Sequence, residues 1–119
     1  MTIKEMTIAD YEEAILLWQS VEGVGLHDDA DSKEAIGQYL QRNPGISFVA
    51  RDNGKLVGAV LCGYDGRRGY LHHLAVGKSY RKKGIGKALV QRIIKKLGSL
   101  DVTKCHVFVF ADNLGGQKF

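Results

Sequence analysis

The feature that most constrains the fold is a change of hydrophobic period around Gly84. Before it, Tyr70 to Val76 is an apolar run of strand length. After it, Ile85, Leu89, Ile93 and Leu97 recur at helical spacing, joined by Val90 and Ile94, while Lys87, Gln91, Arg92, Lys95 and Lys96 take the other side. Cys105 to Phe110 then returns to β-branched and aromatic residues. A strand, an amphipathic helix and another strand predict a right-handed crossover with parallel pairing, if the two strands are neighbours.

Upstream, the pattern is different. Ile3 to Met6 predicts a short first strand, and Ala9 to Ser20 a helix carrying Tyr11, Ala14, Ile15, Leu17 and Trp18. Asp31 followed by Glu34 predicts a capping box for a second helix through Arg42, with Ile36, Tyr39 and Leu40 inward. Ile46 to Arg51 and Lys55 to Tyr64 form a hairpin about Asp52-Asn53-Gly54. A turn at Asp65 to Gly69 leads into the third strand of the meander, Tyr70 to Val76. The order β-α-α-β-β-β-α-β predicts an α+β (loosely α/β) domain over residues 1–119, with helices on both faces of one mixed sheet.

The gross numbers exclude several classes. No apolar run approaches the ~20 residues of a membrane helix. The opening Met1 to Ala14 carries too many charges for a secretion signal. Cys62 and Cys105, the two cysteines, read as buried thiols of a reducing, cytoplasmic environment. A net charge of +4 suits an anionic ligand but lacks the dense basic surface of a nucleic-acid binder. His27, Asp28, Asp29 and Asp31 are close in sequence but have no recognised metal-ligand spacing.

Chemistry concentrates between Leu74 and Leu89. Arg81, Lys82 and Lys83 precede Gly84-Ile85-Gly86 at the start of the helix. Glycine lets a backbone approach a ligand closely and adopt positive φ. The first amides of a helix lack internal partners and carry the positive end of its dipole, so such a turn binds phosphate. Three cations beside an open helix end otherwise only repel one another. A Walker A loop fails because His72 stands at the position of its first glycine. A Rossmann fingerprint fails because Leu89 replaces its third.

Arg81 to Gly86 does fit [RQ]-x-x-G-x-[GA], and the chain resembles the GNAT N-acetyltransferase superfamily in element order throughout. Specific sequence support runs from Gly45 to Asn113. The resemblance implies that Arg81, Lys82, Lys83, Gly84, Ile85, Gly86 and Lys87 bind the pyrophosphate of coenzyme A. It further implies that Leu74, Ala75 and Val76 pair with its pantetheine arm, and that Asn113, opening the next turn or helix, also binds the cofactor. The implied reaction is acetyl transfer from acetyl-CoA, as co-substrate and without metal, to a primary amine of a small molecule or peptide.

Amine acetylation requires removal of a proton from an ammonium. Strand alternation puts Tyr70, His72, Leu74 and Val76 on one face and Leu71, His73 and Ala75 on the other. His72, two residues before Leu74, resembles the active-site histidines of arylalkylamine acetyltransferases and is favoured as proton acceptor through water. Tyr70 falls where other members place a catalytic carboxylate or histidine. Both histidines equally suit hydrogen-bonded structural roles. The family usually continues beyond Phe119 with a proton-donating tyrosine and two further strands. Their absence predicts an open sheet edge, either self-association through it or marginal stability, and weak or absent acetyl transfer. A CoA-binding module without turnover and a small basic nucleic-acid binder are the alternative functions.

Overall fold

The computed structural model describes residues 1–21, 24–27 and 29–107. Five strands form one sheet in sequential order: β1 (Thr2–Glu5), β2 (Phe48–Asp52), β3 (Lys55–Tyr64), β4 (Arg68–Val76) and β5 (Lys104–Val107). β1 to β4 pair antiparallel. β5 pairs with β4 in parallel, from Arg68 with Lys104 to Leu71 with Val107. This is the pairing the crossover requires. The β2–β3 turn places Asn53 and Gly54 at positive φ, as a two-residue hairpin demands.

Three helices cover the sheet: α1 (Tyr11–Ser20), α2 (Lys33–Arg42) and α3 (Ile85–Ser99). Among the described residues α3 alone covers one face. Ile85, Leu89, Ile93 and Leu97 are buried there with Phe48, Val60, Cys62 and Leu71. Each such side chain contributes ~1.5–3 kcal/mol of burial. The buried stripe is narrower than the apolar pattern, since Ile94 is 55% exposed. On the opposite face α1 and α2 supply Ala14, Trp18 and Ile36 against Val49, Leu56, Ala59, Leu61 and Ala75. Ser32, rather than Asp31, caps α2, its hydroxyl accepting from the Ala35 amide at 3.1 Å. Arg51 ties the hairpin to the start of α1 through Asp10 at 2.8 Å and Glu13 at 2.9 Å. No described helix is long and apolar enough to cross a membrane.

Two bulges interrupt the sheet. One residue too many in β3, between Leu56 and Gly58, shifts its register on β2. A second shift separates Ala59–Ala75 from Leu61–His72, so that β4 carries the extra residue. It falls at His73, whose φ is +54°. A non-glycine residue in that region costs ~1–3 kcal/mol unless its surroundings enforce it, although histidine tolerates it better than most.

This bulge corrects the predicted alternation of β4. Tyr70 and His72 stay on the α1–α2 face, His72 lying against Tyr39. His73 joins them there, against Trp18, instead of facing away. Ala75 remains on that face as well, in the core with Trp18. Leu74 and Val76 turn with Leu71 to the α3 side. The additional residue absorbs half a pleat and inverts the phase of everything after it.

Candidate active site

The predicted phosphate turn forms at the C-terminal end of β4. A single 3-10 turn (Lys78–Tyr80) leads from the strand into the basic loop. Lys82 has φ +65° and Gly84 has φ +80°. Gly84 is the N-cap of α3, and a Cβ there meets nothing within 4 Å, so backbone conformation rather than space calls for glycine. The first helical bond runs from the Ala88 amide to the Gly84 carbonyl at 2.9 Å. The amides of Ile85, Gly86 and Lys87 therefore stand ahead of the ladder, at the positive end of the helix dipole. Ile85 and Gly86 are buried, while Arg81, Lys82, Lys83 and Lys87 are exposed. The Arg81 Nε donates to the Val76 carbonyl at 3.2 Å, folding the loop back on the strand. The Lys83 Nζ lies 5.3 Å from the Tyr80 ring centre, a weak cation–π contact.

A second feature lies on the α1–α2 face of β4. His72 is half-buried, its ring centre 6.3 Å from that of Tyr39 in an edge-on arrangement. Burial, and then the neighbouring His73, lower its pKa, with Asp31 opposing. Tyr39 is held mostly buried, and its hydroxyl has no hydrogen-bond partner among the described residues. Burial, followed by the proximity of Cys62, raises the pKa of that phenol. The Trp18 indole N–H is likewise buried without a hydrogen-bond partner among the described residues. Tyr70 donates its hydroxyl to Asp65 at 2.9 Å and stacks on His106 at 5.5 Å between ring centres.

His73 makes the shortest polar contact on this wall. Its Nε2 lies 2.7 Å from Oδ1 of Asp31, and its ring meets Trp18 edge-on at 5.2 Å. The other Asp31 oxygen accepts from the His27 amide at 2.8 Å. The Asp31 carbonyl accepts from the Tyr11 hydroxyl at 2.7 Å. Asp31 is thus gripped from three sides and buried.

The structure brings Tyr70, His72 and the unpredicted His73 onto one wall, with Leu74 to Val76 and the turn from Arg81 to Lys87 farther along the same strand and loop. Asn113 lies outside the described residues. Asp31, Trp18 and Tyr39 escaped sequence reasoning as parts of this wall. Asp31 read as a helix cap, and Trp18 and Tyr39 as core stripes. No local pattern pairs Asp31 with a histidine 42 positions away.

A mixed sheet with a glycine-capped turn that opens α3 at the end of β4 matches the acyl-CoA N-acyltransferase fold. The family described as acetyltransferase (GNAT) matches residues 11–119. An acetyltransferase of Yersinia pestis (strain Pestoides F) is 36% identical over 113 residues, covering 95% of this chain and 79% of that protein. One from Pectobacterium atrosepticum is 35% identical over the same shares. Among solved structures, the PaiA N-acetyltransferase from Thermoplasma acidophilum, in complex with coenzyme A, superposes with a TM-score of 0.85 at 20% identity. That match covers 99% of this chain and 84% of that one. The chain belongs to the GNAT acetyltransferase family and is an N-acetyltransferase domain.

Proposed function

We propose that the protein moves the acetyl group of acetyl-CoA to a primary amine, of a small molecule or a peptide, by direct attack, in a cytoplasmic setting. The observation that carries this reading is the Gly84-capped turn. Its leading amides and three cations offer a diphosphate both directed hydrogen bonds and charge. The coenzyme A held by the Thermoplasma acidophilum relative supports the same ligand here. From Gly77 back to His73, β4 spans roughly 10–13 Å at about 3.3 Å per residue. A pantetheine arm laid along Val76, Ala75 and Leu74 brings its thioester towards the histidine wall.

The reaction needs one proton removed before attack. The ammonium gives it to a β4 imidazole, directly or through water. The neutral nitrogen then attacks the carbonyl carbon, the C–S bond breaks, and the second proton of the attacking nitrogen passes, directly or through water, to the departing thiolate. Sequence assigns the first step to His72, with Tyr70 beside it. The lowered pKa of His72 keeps that ring unprotonated near neutrality, though a weaker base than a free imidazole.

Calorimetric titration with acetyl-CoA, followed by a thiol-release screen across amines, tests the proposal. Gly84→Val places a β-branched residue at φ +80° and should weaken acetyl-CoA binding severely. Undiminished affinity in a folded Gly84→Val protein refutes the phosphate site. Binding without turnover on any amine leaves only a CoA-binding module.

A further inference from the structure

We infer that His73, oriented by the buried carboxylate of Asp31, is the proton acceptor of the transfer reaction, through its Nδ1. This rests on the acetyl-transfer reading above and moves the role of base from His72 to its neighbour. Three observations converge. His73 occupies the bulge of β4 at φ +54°, and strained backbone of this kind concentrates at functional sites. Its Nε2 is fixed 2.7 Å from an oxygen of Asp31. Its ring is further set edge-on by Trp18.

The carboxylate decides the tautomer. An ionised Asp31 can only accept, so the Nε2 of His73 carries the hydrogen and Nδ1 keeps its lone pair. Among the described residues Nδ1 has no hydrogen-bond partner. The His73 side chain is 17% exposed and that of Asp31 9%. When Nδ1 takes the ammonium proton, the imidazolium formed faces a carboxylate that needs no reorganisation. His73 later returns the proton to solvent, so it leaves the cycle as it entered. Asp31 and Trp18 contact the ring and His72 is its neighbour in the strand, while Tyr11 donates to the Asp31 carbonyl and Tyr39 lies against His72. His72 then serves as a neutral wall beside the reacting pair, and Asp31 is a positioning residue.

Asp31→Asn makes a sharp test because the amide can orient only one way. Its oxygen must keep accepting from the His27 amide, which turns the NH2 towards Nε2. The ring then has to accept at Nε2 and carry its hydrogen on Nδ1, which can no longer take a proton. His73→Gln keeps a donor for Asp31 but offers no base. Both variants, with His72→Gln, should be measured for acetyl-CoA affinity, melting temperature and kcat/KM against pH. Nitrogen NMR should read the His73 tautomer in the parent and in Asp31→Asn.

The expected result is an Nε2–H tautomer in the parent and an Nδ1–H tautomer in Asp31→Asn. Turnover should fall roughly 10²-fold or more in His73→Gln and at least roughly tenfold in Asp31→Asn. Acetyl-CoA affinity should hold, and the acidic limb of the profile should vanish in His73→Gln but persist in His72→Gln. Parent-like turnover in folded His73→Gln, or an Nδ1–H tautomer in the parent, overturns the assignment while leaving the acetyl-transfer reading intact. A parent that binds acetyl-CoA but acetylates nothing overturns that reading and this role with it.

Discussion

Gly63→Ala probes how tightly α2 is seated on the sheet. A Cβ at Gly63 would lie 2.6 Å from the Tyr39 hydroxyl and 3.1 Å from Cζ of the same ring. The nearer contact falls short of ordinary van der Waals separation by about 0.8 Å. The phenol cannot swing aside freely, because His72 stands edge-on to it. Overpacking of this kind costs ~1–3 kcal/mol. Removing a glycine from a strand returns ~0.5–1 kcal/mol. The net loss should be ~1–2 kcal/mol, or roughly 4–8 °C at roughly 4 °C per kcal/mol for a chain of this size.

Tyr39→Phe should act in the opposite sense. It deletes a buried hydroxyl without a partner among the described residues, whose desolvation costs ~1–3 kcal/mol. In that background the new methyl meets the ring edge at 3.1 Å and the Asn43 side-chain nitrogen at 3.3 Å, contacts that shifts of a few tenths of an ångström relieve. The double variant should therefore exceed the sum of the singles by ~1 kcal/mol. Urea and thermal unfolding, followed by circular dichroism with unchanged m-values, measure the cycle. Strict additivity, or a neutral Gly63→Ala, would refute the geometry.

Two further outcomes follow from the titratable groups. His72 has a folded pKa below its ordinary value of 6.5, so the unfolded chain binds its proton first. Stability should fall as pH drops from about 6.5 to the lowered folded value. His72→Gln should remove that loss in pH-resolved melts, and an unchanged slope would deny the burial of the imidazole. Cys62 is fully buried, with its thiol pushed up to about 12 by burial first and by Cys105 second. A coloured disulfide reagent should modify Cys105 first and reach Cys62 only at the rate of unfolding, and fast double labelling of the native protein would contradict this.

Whatever is local in this fold was legible in the sequence. Lys55–Tyr64 runs as read, because its turn residues and its near-continuous apolar run, buried on both faces, are contiguous. The phosphate turn follows from neighbours too: Gly84 has the left-handed φ, and the helical period starts beside it. Legibility failed where one residue altered the phase. Nothing in Tyr70 to Val76 announces an extra residue, so strict alternation sent His73 to the wrong face. It failed again where a partner lies far along the chain. Asp31 has a composition and position suited to a helix cap, and Ser32 one place later does that work. Only folding brings Asp31 within 2.7 Å of His73.

The two bulges also bear on how the meander finds its pairing. A regular antiparallel hairpin can slide by two residues and still present the same side chains to each face. Here β3 carries its irregularity towards β2, and β4 carries another towards β3. A two-residue slip would set each extra residue opposite regular pleats and carry His73 away from Asp31 and Trp18. Such a chain has few near-degenerate sheets to become trapped in. The irregularity that spoils the reading of β4 acts as a key cut to a single lock, selecting one alignment among strands whose apolar patterns alone would tolerate several.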